Sequence, residues 1–357
     1  MVRGRAVARC LSDPRPRFRL RVGDPGIGTA LLLLASFAVI LAGALLFTNA
    51  VEWAGRRLAL GQGAVGSLLA AVGTAMPETL IPIVAVLEGE PGSDGVAIGA
   101  IVGAPFLLAT IAMMLVGLSA LGYRQRRRQG RELAAHAPTL ERDLGFFLCF
   151  FALATILGLG APQGVRIFLA FGFVGAYALY VRRTLQGGGE VEAADSIHPL
   201  ILARHPVGEP TRNMIGIQFL VGLGAMVGGA HMFVVEVIEL ASSIGVEPLA
   251  LSLVLAPLAT ELPEKANSFF WVRDGKDSLA LGNITGAMVF QSTMPVAFGL
   301  AFTTWELDRF AVLSAALGLA GGIVAYWALR LQGRFSLPAI LAWGALYAVF
   351  LLYVVLA

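Results

Sequence analysis

The chain has 357 residues, of which 57% are hydrophobic and only 14% are charged, and its mean hydropathy is +0.78. This balance excludes an ordinary soluble domain, in which about 45–50% of residues are apolar and about 25% are charged. The net charge of +3 comes from arginines in predicted loops and in the N-terminal tail, so it indicates membrane topology and no nucleic-acid partner. The sequence therefore predicts an all-α polytopic membrane protein that is surrounded by the lipid bilayer.

An Arg-rich tail at residues 1–25 precedes the first apolar segment, and we expect it to be disordered. A helix needs about 20 apolar residues to cross the hydrocarbon core, and ten segments of the chain meet that requirement. In the first half we predict helices at about 27–50, 64–87, 95–121, 144–160 and 163–183. In the second half we predict helices at about 213–243, 246–271, 277–303, 309–330 and 335–356. The predicted domains are the tail, a first repeat at 26–184, a cytoplasmic linker at 185–212 and a second repeat at 213–357.

The two halves resemble each other in sequence. Glu52 lies in A-V-E-W-A and Glu239 lies in V-I-E-L-A, and the segment that begins at Asp94 parallels the segment that begins at Asp277. Because each half has an odd number of predicted helices, we expect the two copies to be inverted relative to each other. Inverted repeats with discontinuous helices are the architecture of many secondary transporters. The sequence therefore predicts two inverted five-helix repeats.

Basic residues concentrate in the loops that follow the odd-numbered helices. The opposite loops hold Arg166 and Arg309 and carry the acidic residues Glu88, Glu90 and Asp94. By the positive-inside rule, this asymmetry places both termini outside the cytoplasm. The arginines of the tail argue the other way, but we give the loops more weight because five of them agree.

Acidic side chains interrupt two of the predicted spans at equivalent places. The first motif is G-T-A-M-P-E at residues 73–78, and the second is A-T-E-L-P-E at residues 259–264. The proline before each glutamate has no N–H, so it frees the carbonyl four residues earlier, which belongs to Gly73 or Ala259. An ionisable side chain at this depth costs at least about 2.5–3.5 kcal/mol on insertion scales and is a functional candidate by default.

The two motifs offer oxygen ligands at helical spacing. Thr74 and Glu78 lie four residues apart, as do Thr260 and Glu264, and Glu261 lies on the same helix face as Glu264. Carboxylates, hydroxyls and carbonyls are the ligands of hard cations such as Ca²⁺, whereas zinc and copper favour cysteine or histidine. We therefore predict a cation site with Glu78 and Glu264 as the metal ligands, completed by the threonines and the freed carbonyls.

Three further polar residues each allow two interpretations. Lys265 lies at i+4 from Glu261, so Glu261 either joins the cation site or forms a helix ion pair. Asn283 either binds the cation or hydrogen-bonds across a helix crossing. His231 could relay protons, but it has no evident partner and we expect it to be packed. Enzyme motifs such as H-E-x-x-H and G-x-S-x-G do not occur, so we expect no catalytic residues.

These motifs resemble the two G-T-S-x-P-E signature repeats of the sodium/calcium exchanger family, in the cation/calcium antiporter superfamily. The segment Asp277–Gln291 is similar to the family pattern D-x-A-x-G-N-x-x-G-S-N-x-x-(D/N). The resemblance covers both halves and implies a ten-helix inverted-repeat fold with four cation sites between helices 2, 3, 7 and 8. It also implies that helices 1 and 6 slide across this core, and that Thr74, Glu78, Thr260 and Glu264 are cation ligands.

Several positions depart from the family pattern. The serine after each threonine becomes Ala75 in the first repeat and Glu261 in the second. Polar positions of the third helix become Ala104 and Leu108, and Gln291 stands in the eighth helix where an acid or amide is usual. The first half thus loses oxygen ligands and the second gains a carboxylate, and we include Glu261 and Gln291 among the cation-binding candidates.

The sequence as a whole predicts a secondary active antiporter that exchanges Ca²⁺ for Na⁺ by alternating access across a prokaryotic-type inner membrane. The alternative is a H⁺-coupled antiporter of Ca²⁺ or another divalent cation, in which a proton or Lys265 substitutes for some sodium ions. A transport-dead membrane scaffold is a third possibility. We expect no cofactor besides the transported ions, and a monomer as the functional unit.

Overall fold

A computed structural model describes residues 25–57, 75–128, 130, 132–133, 137–186, 199–203, 210–332 and 335–356. The helices, numbered in chain order, are α1 Pro25–Arg57, α2 Met76–Glu88, α3 Ser93–Gly122, α4 Ala137–Leu157, α5 Gln163–Gln186, α6 Arg212–Ile244, α7 Pro248–Arg273, α8 Asp277–Phe302, α9 Arg309–Gln332 and α10 Leu337–Leu356. The predicted tail and most of the predicted linker lie outside the described residues.

Two of the helices change geometry along their length. A π-helical turn occupies Leu108–Ala112 of α3. A turn at Ser292 and Thr293 interrupts α8, which resumes over Met294–Phe302. By contrast, α7 remains helical through Pro257 and Pro263, so the prolines of the second motif remove hydrogen bonds without ending the helix.

Seven helices within the described part of the chain are long and apolar enough to cross a membrane, namely α1, α3, α5, α6, α8, α9 and α10. The first part of α7, Pro248–Glu261, is also apolar and reaches into the second acidic motif. Only 13 residues of α2 are described, and α4 carries Glu141, Arg142 and Asp143 in succession. The prediction of an all-helical polytopic membrane fold is confirmed.

The start predicted for α2 at about 64 lies outside the described residues, and α4 begins at Ala137, ahead of its predicted start at about 144. The other observed helix ends agree with the predicted ones to within a few residues, except at α1. This helix continues past residue 50 to Arg57. Its extension is held by tertiary packing, because Ala50 and Trp53 form a buried apolar cluster with Leu200 and Ile215. Hydropathy along α1 does not contain that information, since two of the four partners lie in distant segments.

Part of the predicted linker is hydrogen-bonded to α1 and α6. The side-chain oxygen of Asn49 accepts hydrogen bonds from the Ile201 backbone at 3.2 Å and from Gln218 at 2.9 Å. The amide oxygen of Gln218 in turn accepts from the backbone of Leu202 at 2.9 Å. Asn49 and Gln218 are buried, so this network satisfies polar groups that would otherwise be costly. Residues 199–203 are therefore an ordered contact of the two helices.

Helices α1 and α6 pack closely because glycines lie at their contact. A Cβ atom added to Gly43 would lie 2.8 Å from the backbone nitrogen of Met226, and one added to Gly222 would lie 2.7 Å from that of Phe47. Small residues of this kind let the backbones of membrane helices approach each other. The two long helices therefore form one paired unit.

Helices α3 and α7 cross in the same way at the centre of the molecule. A Cβ atom on Gly99 would lie 2.5 Å from the carbonyl oxygen of Leu249, and one on Gly103 would lie 2.4 Å from that of Leu253. The hydroxyl of Ser252 donates a hydrogen bond of 2.8 Å to the carbonyl of Val96 across the crossing. This contact fixes the position of α7, which carries the second motif, against α3.

We expect Gly103→Ala to destabilise the protein, because neither backbone at the α3–α7 crossing can give way. Overpacking of this kind costs about 1–3 kcal/mol, and we expect a melting temperature several degrees lower in detergent. Gly175→Ala in α5 is the matched control, since no atom lies within 4 Å of its added Cβ and alanine favours the helix. Equal melting temperatures for the two variants would contradict the close crossing.

Contacts between the loops divide the molecule into two faces. On one face, Asp94 at the start of α3 accepts hydrogen bonds from the backbone and hydroxyl of Thr304, and Arg166 of α5 donates to the Thr304 carbonyl. On the other, Arg127 after α3 pairs with Asp277 at the start of α8. We name these the Thr304 face and the Arg127 face. It follows that α3 and α8 run in opposite directions between the two faces.

Candidate cation site

Glu78 is buried inside the helical bundle. It lies in the first turn of α2 and is only 6% exposed. Backbone N–H groups at the start of a helix favour a negative charge, so this position supports the ionised carboxylate. Pro82 has no N–H and therefore leaves the carbonyl of Glu78 without its usual helical donor. Both the side chain and the backbone of Glu78 thus offer oxygen atoms at a depth where water is scarce.

Thr260 and Ala259 lie on the buried side of α7. The hydroxyl of Thr260 donates a hydrogen bond of 3.1 Å to the carbonyl of Ala256, one turn earlier. A hydroxyl has one proton and two acceptor lone pairs, and this bond uses the proton. The oxygen of Thr260 can therefore act as an acceptor toward a cation.

Glu261 is held between an amide and an ammonium. Its Oε1 accepts a hydrogen bond of 2.9 Å from Gln291 of α8, and its Oε2 lies 3.6 Å from the Nζ atom of Lys265. Glu261, Lys265 and Gln291 are at most 2% exposed. The helix ion pair considered for Glu261 is therefore present, and Gln291 joins it from the neighbouring helix.

Asn283 takes part in the crossing of α7 and α8. Its amide donates a hydrogen bond of 3.3 Å to the hydroxyl of Ser268, which donates in turn to the carbonyl of Ala280. The structure therefore shows the crossing contact that was one of the two interpretations. Its role as a cation ligand stays a prediction.

Three of the predicted site residues cannot be located. Gly73, Thr74 and the side chain of Glu264 lie outside the described residues. Within the part of the chain that is described, no three acidic, histidine or cysteine side chains converge on a common point. The described part of the candidate site consists of Glu78 on α2, Ala259, Thr260 and Glu261 on α7, and Asn283 and Gln291 on α8.

Helix α3 has apolar side chains at two positions where the family pattern has polar ones. Ala104 and Leu108 are both buried, and Leu108 belongs to the main apolar core. Leu108 is also the first residue of the π-helical turn, a feature that is often found at functional sites. The sequence indicated that the first half has lost polar ligands, and in the structure these two positions are packed in the apolar interior.

The expectation that His231 is packed and unpartnered was wrong. Its side chain is 61% exposed, and its Nδ1 atom lies 2.6 Å from Oε1 of Glu88 at the end of α2. The two residues are 143 positions apart in the chain. No local pattern could have indicated this pair, which links α6 to α2.

A second acidic contact lies on the Thr304 face, outside the spanning segments. A hydrogen bond with Asp308 raises the pKa of the Glu247 carboxyl, and burial and the charge of Asp308 raise this pKa further. Asp308 also accepts a hydrogen bond of 2.8 Å from the backbone of Ala311 at the start of α9. The pair therefore joins the α6–α7 turn to the start of α9.

Comparison with known proteins gives a consistent picture. Residues 28–185 and 215–356 match the family model described as sodium/calcium exchanger protein. The chain is 26% identical over 253 residues to inner membrane protein YrbG of Escherichia coli (strain K12), and the match covers 69% of this chain and 71% of that protein.

Solved structures of exchangers have a similar fold. The H⁺/Ca²⁺ exchanger CAX superposes with a TM-score of 0.62 at 21% identity, over 91% of this chain and 81% of that one. The sodium-calcium exchanger NCX_Mj superposes with a TM-score of 0.53 at 19% identity, over 91% of this chain and 97% of that one. At these identities the likeness establishes the fold and leaves the transported ions open.

Proposed function

This chain belongs to the sodium/calcium exchanger family, and we propose that it is a secondary active antiporter that moves Ca²⁺ across the membrane in exchange for Na⁺. The observation that carries the proposal is the burial of Glu78 on α2 and of Thr260 and Glu261 on α7, in two motifs of mirrored sequence. Carboxylates at this depth are costly unless they meet a cation. The family consists of transporters, so an enzymatic role has no support.

The proposed architecture is ten transmembrane helices in two inverted five-helix repeats, at residues 26–184 and 213–357. The support comes from α3 and α8, whose first residues lie in the matching segments that begin at Asp94 and Asp277. These helices run in opposite directions between the Thr304 face and the Arg127 face. Opposite directions are what an inverted repeat requires of equivalent helices.

In the proposed mechanism, Glu78 and Glu264 bind Ca²⁺ at mid-membrane. Thr74, Thr260 and the carbonyls of Gly73 and Ala259 complete the oxygen shell, as six to eight oxygen ligands are usual for this ion. Two carboxylates neutralise one Ca²⁺, so the filled site carries little net charge. In an empty site no bound ion neutralises these carboxylates, and a charge in hydrocarbon is costly.

The moving element in this mechanism is the pair of α1 and α6. Their close glycine-mediated contact, at Gly43 and Gly222, supports movement as one unit. The pair can slide past a neutralised site and is hindered by a charged one, which couples the movement to occupancy. Binding of Ca²⁺ on one side and of the exchanged cation on the other then gives alternating access.

We place the Arg127 face in the cytoplasm and both termini outside it. The support is the excess of exposed basic residues on the loops of that face, among them Arg124, Arg126, Arg128 and Arg273. The protein would then lie in the inner membrane of a prokaryotic-type cell. We propose a monomer as the functional unit, because each chain supplies both motifs.

Coupling to H⁺ in place of Na⁺ is the second candidate function. The observation that favours it is the apolar burial of Ala104 and Leu108, at positions where exchangers of this family are expected to hold sodium with polar groups. In this alternative, a proton takes the place of some of the sodium ions.

The test is Ca²⁺ transport by purified protein in sealed proteoliposomes, with gradients of Na⁺, K⁺ and H⁺ imposed one at a time. We expect a Na⁺ gradient at fixed pH to drive ⁴⁵Ca²⁺ movement, and a K⁺ gradient to drive none. Movement driven by a H⁺ gradient without Na⁺ would establish the alternative, and full exchange on Na⁺ alone would exclude it. If none of these gradients moves Ca²⁺ or another divalent cation, the proposal of antiport is wrong.

A further inference from the structure

A buried lysine directly follows the second motif on α7. Lys265 is 1% exposed, and its Nζ atom lies 3.6 Å from Oε2 of Glu261 one helical turn earlier. Apart from Lys276, which is exposed at the start of α8, every other basic residue of the chain is arginine. Arginine is the usual choice for buried ion pairs, whereas the lysine ammonium is a compact point charge. The single buried lysine is therefore the side chain that most resembles a bound monovalent cation.

The carboxylate that pairs with this ammonium also binds an amide of the neighbouring helix α8. Oε1 of Glu261 accepts the hydrogen bond from Nε2 of Gln291, which fixes the orientation of that amide. The other amide atom, Oε1 of Gln291, is a buried acceptor with no hydrogen-bond partner among the described residues. A carboxylate and an amide oxygen on adjacent helices are ligands that hard cations prefer.

Stability alone does not account for the pair. Two charges removed from water lose more solvation energy than their attraction returns, and an apolar pair of similar volume is often as stable or more stable. A functional role is therefore the better account of Glu261 and Lys265 at this position.

We propose that Lys265 is a tethered cation, whose ammonium occupies a monovalent-cation position beside the Glu261 carboxylate, which Gln291 orients from α8. This inference rests on the proposed antiport and specifies its ion count. Because the ammonium is part of the chain, this position exchanges no ion with solution. The protein therefore binds one mobile monovalent cation fewer than the same site would bind without the lysine. Lys265 is thus a specificity-determining residue, and its removal opens the position to Na⁺.

The test measures equilibrium binding of ⁴⁵Ca²⁺ to purified protein and its displacement by Na⁺ at fixed pH. In Lys265→Met, we expect the Hill coefficient for Na⁺ to rise by about one, because one further site becomes available. The double variant Glu261→Gln/Lys265→Met lacks the carboxylate and is expected to lose that gain. Lys276→Met, which removes the exposed lysine, should match the wild type.

Two results would overturn the inference. Folded Lys265→Met with a Hill coefficient equal to that of the wild type would show that Lys265 is only a structural partner of Glu261. If the methionine variant does not fold, Lys265→Ser replaces it, because its short hydroxyl side chain leaves room for a cation beside Glu261, and the same criterion applies. A wild-type protein that binds no ⁴⁵Ca²⁺ would instead contradict the proposed function, so the two failures are distinguishable.

Discussion

Replacing Glu78 by glutamine is expected to lower ion-driven ⁴⁵Ca²⁺ uptake into vesicles by at least about 100-fold. Glutamine keeps the size and an oxygen atom of the side chain, so the substitution removes only the charge. With a single remaining carboxylate, bound Ca²⁺ would keep a net positive charge at mid-membrane, which costs at least about 2.5–3.5 kcal/mol. Each 1.4 kcal/mol corresponds to a factor of ten in binding. A cost of this size therefore weakens Ca²⁺ binding by roughly 100-fold.

The control for this experiment is Glu239→Gln, which makes the same change at an exposed position of α6 and should leave uptake intact. The melting temperature of Glu78→Gln in detergent is measured beside that of the wild type, so that the loss of a ligand is told apart from a loss of folding. A folded Glu78→Gln protein that still transports Ca²⁺ at the wild-type rate would show that Glu78 is not a ligand. Loss of transport in both variants would indicate a general defect.

The positions of most helices could be predicted from the sequence because hydropathy is a local property of the chain. Helix α9 was expected at about 309–330 and is observed at Arg309–Gln332. Helix α1 was predicted too short, since the contacts of its last two turns with Leu200 and Ile215 come from the other half of the protein. The ordered segment at 199–203 was missed for the same reason. Tertiary contacts of this kind leave no periodic signal in the residues themselves.

The candidate site shows the same division between local and distant information. The pairing of Glu261 with Lys265 was one of two interpretations that the sequence allowed, because four residues separate them on one helix. The hydrogen bond from Gln291 to Glu261 was not foreseen, because it depends on how α7 packs against α8. The partner of His231 was missed because it lies on a helix of the other half. Sequence patterns therefore indicated which residue types bear the chemistry, while the fold determines which of them meet.

Replacing Asp277 by asparagine is expected to cause a large loss of stability. Nη2 of Arg127 lies 2.6 Å from Oδ1 and 2.5 Å from Oδ2 of Asp277, and both side chains are completely buried. Arg127 also donates to the carbonyls of Gly130 and Glu132, so the guanidinium cannot turn toward water without breaking further bonds. Removal of one partner of a buried ion pair costs about 3–5 kcal/mol, which corresponds to a melting temperature lower by on the order of 10 °C.

Two variants separate the effect of the lone buried charge from other causes. Asp274→Asn removes the partner of Arg273 in an exposed ion pair three residues earlier, and exposed pairs contribute little, so its melting temperature should match the wild type. The double variant Arg127→Met/Asp277→Leu replaces the buried pair by apolar side chains and should recover most of the lost stability. If Asp277→Asn melts like the wild type, or the double variant melts no higher than Asp277→Asn, the pair does not fasten the loop after α3 to the start of α8. If the expected order is found, α3 and α8 are joined on the Arg127 face, and they can form a fixed core against which α1 and α6 move.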